Sequence, residues 1–148
     1  MALLPAGAAV MSLAVHGLPV PGVPEYGRYS KVDITRYISG GCETVTVTRA
    51  DDEKSKEKGE PFMKFRLAPD ILNMIKSTDT GKSAIESPRY AYTFYMNDGS
   101  VRTFYTDGLL VAKDDVAKGY KHHPASDYSA FKNVTDNMYF APRVRDNR

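Results

Sequence analysis

The sequence predicts an α+β fold: a small antiparallel β-sheet, made of a hairpin and a three-stranded meander, with one or two short helices and an extended N-terminal arm. Three observations carry this. Apolar and polar residues alternate over 29–38, 43–49 and 90–112, the period-2 pattern of half-buried strands. Short turns, Ser39-Gly40-Gly41-Cys42 and Asn97-Asp98-Gly99-Ser100, separate the runs; Gly, Asn and Asp tolerate the positive φ that hairpins require. Helical patterning is confined to brief stretches that follow Pro69 and Pro124.

Residues 1–24 carry no formal charge, with His16 neutral, and contain Pro5, Pro19, Pro21 and Pro24. Repeated proline fixes φ and removes backbone donors, so 18–24 reads as extended chain running over a surface. An apolar arm is costly to leave in water and is better buried on a neighbouring subunit. As a secretory signal the segment is atypical. Its apolar core, 10–15, follows the small triplet Ala6-Gly7-Ala8 instead of preceding it, and no Lys or Arg comes before Arg28. The prolines also leave it far short of the roughly 20 clean apolar residues of a membrane span. The domain division is therefore an arm over 1–24 and a single α+β domain over 25–148.

In the first strand Val32, Ile34 and Ile38 alternate with Lys31, Asp33 and Thr35. Thr44-Val45-Thr46-Val47-Thr48 follows the turn, and β-branched residues suit a pleated surface. Residues 51–61 mix Asp, Glu and Lys without apolar periodicity and read as a solvated loop. Residues 62–67 alternate Phe62, Lys64 and Arg66 against Met63, Phe65 and Leu67, as a short strand would. Pro69-Asp70 then suits a helix start, with Ile71, Leu72 and Ile75 on one apolar face, Met74 beside it and an end near Thr78.

In the meander Tyr90, Tyr92, Phe94 and Met96 point one way, and Ala91, Thr93 and Tyr95 the other. Val101 to Thr106 returns from the Asn97–Ser100 turn; a second turn at Thr106-Asp107-Gly108 leads into 109–112. A short helix is expected over 124–134, where Tyr128 and Phe131 stand at i,i+3 spacing, and polar extended chain over 135–148.

At 148 residues the chain can bury roughly 70% of its unfolded surface. It needs neither disulfides nor a metal to stand. The net charge of +2 is too weak to argue for nucleic acid, a membrane surface or an acidic substrate. The distinctive feature is ten Tyr and six Phe with no Trp; tyrosine, with an apolar ring and a polar tip, suits surfaces that become half buried.

Catalytic and ligand patterns are weak. Cys42 is the only cysteine, so it forms neither an internal disulfide nor a cysteine zinc site, and no base is evident for it as a nucleophile. Thr80-Gly81-Lys82-Ser83 resembles the end of a phosphate-binding loop, but Lys76 stands where that motif needs glycine. His122 and His123 are adjacent and share no face; even with Asp127 they would chelate poorly. Asp51, Asp52 and Glu53 lack the spaced oxygen ligands of a calcium loop. Asn133-Val134-Thr135 is a glycosylation sequon that matters only on a eukaryotic secretory route. The aromatic run 90–95 has only Arg89 and Arg102 nearby, too little basic charge for base stacking on a nucleic acid.

These residues point to a non-enzymatic structural or accessory subunit of a larger protein assembly, a virion or a multi-subunit complex, without cofactor or metal. It would bind other protein subunits, with homo-oligomerisation open, through Leu13, Val15, Leu18, Val20 and Val23 of the arm and Tyr90, Tyr92 and Phe94 of the sheet. The alternative is a secreted or cell-envelope domain that binds or inhibits another protein, with the arm as an atypical signal.

Overall fold

The computed structural model describes residues 22–60, 63–75, 87–107, 110–113, 119–121 and 126–140. It has the α+β architecture expected. One 3-10 turn, Tyr26–Arg28, leads into strands β1 (Tyr29–Ile38) and β2 (Gly41–Thr48), then helices α1 (Arg49–Glu57) and α2 (Ala68–Leu72). Strands β3 (Tyr90–Met96), β4 (Val101–Thr106), β5 (Leu110–Lys113) and β6 (Gly119–Lys121) follow, and then helix α3 (Ser126–Thr135), which continues into a π-helical turn, Asp136–Phe140. The strands form one antiparallel sheet in the order β2-β1-β3-β4-β5-β6.

Both predicted turns close hairpins. Gly40 and Gly99 adopt φ of 83° and 93°, where a side chain would be strained. Asp98 adds an Asx turn, its carboxylate accepting from the Ser100 amide at 2.9 Å and the Ser100 hydroxyl at 2.6 Å. The hairpin and the meander join through β1 and β3, with Val32 opposite Phe94 and Ile34 opposite Tyr92. This seam sets Val32 and Ile34 of β1 beside the buried rings of β3.

The core is one cluster on one face of the sheet. Tyr29, Val32, Ile34, Tyr92, Phe94, Phe104 and Val111 meet Phe65, Ala68, Leu72 and Ile75 from the α2 region, and Phe131 and Tyr139 from the C-terminal segment. Ile71 and Leu72 are buried as the apolar spacing requires, although α2 ends at Leu72 and Thr78 lies outside the described residues. Likewise the Thr106-Asp107-Gly108 turn and Pro124 fall partly or wholly outside them.

Three local expectations are corrected. The mixed-charge stretch expected as a loop over 51–61 contains α1. Thr48 and Asp51 form a capping box, with the Thr48 amide donating to the Asp51 carboxylate at 2.7 Å. At the other end Gly59 takes φ of 78°. The Gly59 amide donates to the Lys56 carbonyl and the Glu60 amide to the Ser55 carbonyl, a Schellman motif. No residue of α1 is buried, which is why no apolar period announces it.

The strand expected over 62–67 is, from Met63 on, a helical turn in which the Leu67 amide donates to the Met63 carbonyl at 2.9 Å. The Asp52 carboxylate accepts from the amides of Phe65 and Arg66 at 3.1 and 2.9 Å, so those donors are unavailable to a ladder.

Finally, residues 136–140 are helical where extended chain was expected. Burial of Tyr139, whose hydroxyl donates to the Lys64 carbonyl at 2.6 Å, fixes that turn.

Candidate interaction surface

Strand alternation gives the sheet a second face. The registers align its residues in rows across β2, β1, β3 and β4: Thr48-Lys31-Tyr95-Val101, Thr46-Asp33-Thr93-Thr103 and Thr44-Thr35-Ala91-Tyr105. Cys42 and Tyr37 begin a fourth row. Apart from Ala91, every residue in these rows is half-buried or exposed. Val101 is 50% and Tyr37 38% exposed, and Ile38 at the end of β1 is 46% exposed.

Hydrogen bonds hold this face in place. Asp33 accepts from the Tyr95 hydroxyl at 2.8 Å and from the Thr46 hydroxyl. Thr35 and Thr44 share a bond of 2.9 Å, and Thr93 and Thr103 one of 3.1 Å. The Lys31 ammonium sits 4.3 Å from the centre of the Tyr95 ring. The bond to Asp33, aided by burial, raises the Tyr95 phenol above its ordinary pKa. Burial and the nearby Tyr105 raise Tyr37. Tyr95 is thus held among ordered hydroxyls, with little side-chain freedom left to lose, and Tyr37 and Tyr105 present their rings on the same face.

The aromatic residues singled out from the sequence lie on the opposite face. Tyr90, Tyr92 and Phe94 are buried: α3 and the π-helical turn close over Tyr90 and Tyr92, and Phe94 packs against Tyr29, Tyr92 and Phe104. Phe131 packs edge-on to Tyr90 at 5.5 Å and against Tyr92 at 5.9 Å, and Tyr139 meets Tyr92 at 6.3 Å. The Tyr92 hydroxyl and Thr135 share a 2.7 Å bond, and Tyr90 donates to Asp136 at 2.7 Å. In this fold the three side chains are core, which corrects their assignment to an interface. Val23 packs against the same core; Leu13, Val15, Leu18 and Val20 lie outside the described residues. Phe131, at helical spacing on an aromatic helix, is the one signal that could have shown which face is covered.

Asp136 anchors the closure. Besides the Tyr90 hydroxyl it meets Lys132 at 3.0 Å and Arg36 at 3.3 Å, and Arg36 also pairs with Glu43 at 3.1 Å. Burial would raise the Asp136 carboxyl, but the bonds from Tyr90 and Lys132 and the charge of Arg36 outweigh it and hold its pKa below the ordinary value.

The remaining candidates have structural roles or are not described. Asp51 and Asp52 act as caps. Cys42 is an exposed free thiol on β2 beside the hairpin turn. Asn133 is exposed on α3, whereas Thr135 of the same sequon is buried. His16, residues 80–83 and His122-His123 lie outside the described residues, and of Asp127 only the backbone is described. Among the described residues no group of three or more His, Cys, Asp or Glu is placed to hold a metal, and no helix is long and apolar enough to cross a membrane.

Two clefts are polar. One, of about 470 Å³, lies between Val23, Arg28, Asn97 and Arg102. In the other, of about 200 Å³, the Arg49 and Arg66 guanidinium groups stand 4.9 and 4.7 Å from the Tyr26 ring centre. The hydrogen bond from Arg66, against a smaller effect of burial, lowers the Tyr26 phenol pKa. The acids Asp52, Glu53 and Glu60 line the same cleft and offset Arg49, Lys56 and Arg66, so it carries no net charge for an anion.

No protein-family model, curated protein or solved structure matches this chain.

Proposed function

We propose that the protein is a non-enzymatic structural or accessory subunit of a larger protein assembly, docking through the open, tyrosine-bearing face of its sheet and through the arm over 1–24. The observation that supports this most is the ordered row system around Asp33, which presents Tyr37, Tyr95 and Tyr105 beside exposed Val101. Tyrosine anchors are what protein interfaces favour. The arm contributes apolar side chains worth several kcal/mol at roughly 25 cal/mol per Å² buried, less the cost of ordering, which its prolines reduce.

Co-sedimentation of the tagged full chain in a native extract tests the proposal. The wild type travels in a high-mass fraction, and Tyr37→Ala with Tyr105→Ala moves it to the free fraction at an unchanged melting temperature. A variant that co-sediments like the wild type overturns the role of the face. Deletion of 1–24 with assembly intact removes the role of the arm.

The secreted or cell-envelope protein-binding alternative rests on the uncharged run over 1–24 acting as an atypical signal. N-terminal sequencing of the native protein separates the two, since a new start near residue 17 to 25 belongs to the secreted reading.

A further inference from the structure

We infer that β2 is a homodimerisation edge, whose outer side pairs antiparallel with β2 of a second copy of this chain. Among the described residues β2 pairs on one side only, with β1. Its other side meets no strand among the described residues, and natural proteins normally protect such an edge with lysine, proline, a bulge or extreme shortness. The opposite edge, β6, is described over three residues, Gly119–Lys121. By contrast β2 has eight residues, no Pro or Lys, and a register with β1 free of shifts.

The outward-facing groups can be identified. Tyr37 of β1 donates its amide to the Arg89 carbonyl beside β3, so the odd-numbered residues of β1 face β3 and the even-numbered ones face β2. Their partners on β2 are odd-numbered, which leaves Cys42, Thr44, Thr46 and Thr48 facing outward. Thr48 agrees: its amide is taken by Asp51 rather than by β1. The unspent edge is therefore centred on Thr44 and Thr46, both exposed.

Self-complementarity identifies the occupant. Thr44-Val45-Thr46 reads the same in both directions. A two-fold axis through Val45, perpendicular to the sheet, sets Thr44 opposite Thr46 of the second copy and Val45 opposite its own counterpart. Threonine then meets threonine on the open face and valine meets valine on the core side. Glu43, the only charged residue of β2, falls opposite Val47 of the second copy, so no like charges face each other. Helix α1, which follows β2 directly, is tied toward the core side. Arg49 donates to the Tyr29 carbonyl and Asp52 accepts from the Phe65 amide, drawing the chain beneath the sheet. The pairing joins two sheets into one through backbone groups at the β2 edge, not through the Tyr37, Tyr95 and Tyr105 rings. Thr44 and Thr46 also stand in the rows of that face, and sedimentation of the purified chain reads the dimer apart from any docking to other subunits.

Analytical ultracentrifugation of the full chain at about 100 μM, a range that captures modest dimers, reads the association. The wild type is expected to sediment as a dimer. Thr46→Pro removes an outward donor without touching the β1–β2 ladder, and is expected to give a monomer with an unchanged circular-dichroism spectrum. Oxidative crosslinking fixes the register and does not depend on that variant folding. Val45→Cys in a Cys42→Ser background is expected to form a disulfide dimer, because residues opposed at a non-hydrogen-bonded site lie within disulfide reach. The wild type, whose Cys42 falls opposite Thr48, is expected not to crosslink. A monomeric wild type overturns the inference, as does a folded Thr46→Pro chain that dimerises undiminished or a dimer in which the Val45→Cys chain fails to crosslink.

Discussion

On the covered face of β3, Tyr92 is fully buried between Phe131 and Tyr139 and its hydroxyl meets Thr135. On the open face of the same strand, Tyr95 is half-buried and its hydroxyl meets Asp33. Both tyrosines are hydrogen-bonded, yet the bonds do different things. Thr135 satisfies a group that has lost all contact with water, and burial pushes the Tyr92 phenol far above its ordinary value. Asp33 orders a group that solvent would satisfy anyway. The comparison teaches that the aromatic residues of this sheet divide into structural and presented sets by strand parity, with a register shift between Tyr29 and Lys31 turning Tyr29 to the core, so tolerance to substitution should be one-sided.

The largest effect is expected from Phe94→Ala. It empties a site between Tyr29 and Phe104 and should cost about 3–5 kcal/mol in denaturant unfolding. A cost under about 1 kcal/mol would mean that the helical layer does not close on this face.

Next comes Tyr92→Phe, which leaves the Thr135 hydroxyl buried without its partner and should cost about 1–3 kcal/mol. The matched change on the open face, Tyr95→Phe, should stay within about 0.5 kcal/mol. Equal costs for the two would break the comparison.

Acid sharpens it further. The folded-state pKa of Asp136 is depressed, so its contribution is present above the unfolded value, near 4, and is lost as pH falls through the folded value. Unfolding curves for the wild type should therefore weaken below about pH 4. Asp136→Asn should be less stable at neutral pH and show a shallower acid slope. An unchanged slope would place the acid sensitivity elsewhere.

The smallest stability effect belongs to Thr93→Val on the open face. It breaks the 3.1 Å bond to Thr103 but keeps a β-branched side chain in a half-solvated row, and should fall within about 0.5 kcal/mol. A loss of more than about 1 kcal/mol in melting experiments would indicate that this face is covered too.

Much of the candidate surface was legible in part. Thr44, Thr46 and Thr35 stand out as β-formers, and Tyr95 was placed on the side away from Tyr90, Tyr92 and Phe94. Nothing local says which side receives the helices, because both sides of β3 carry aromatic rings. That choice rests on Phe131 and Tyr139, some 40 residues further along the chain.

By itself the sequence determined strands β1 to β5, through period-2 alternation, and the hairpins at Gly40 and Gly99, through glycines at positive φ. It did not announce β6, and it offered a strand over 62–67 that, from Met63 on, does not form. It also determined the apolar patch of Ile71, Leu72 and Ile75. Only the tertiary structure decided the β1–β3 seam, the covered face and the fate of the polar stretches. Helix α1 has no apolar side to declare it and is held by Thr48, Asp51, Gly59 and the reach of Asp52 to Phe65. The 63–67 segment alternates like a strand, yet its amides were spent on that same Asp52. For the seam, the covered face and the 63–67 segment the deciding group lies outside the segment it decides, and a local pattern records only what a residue offers, not which distant partner takes it.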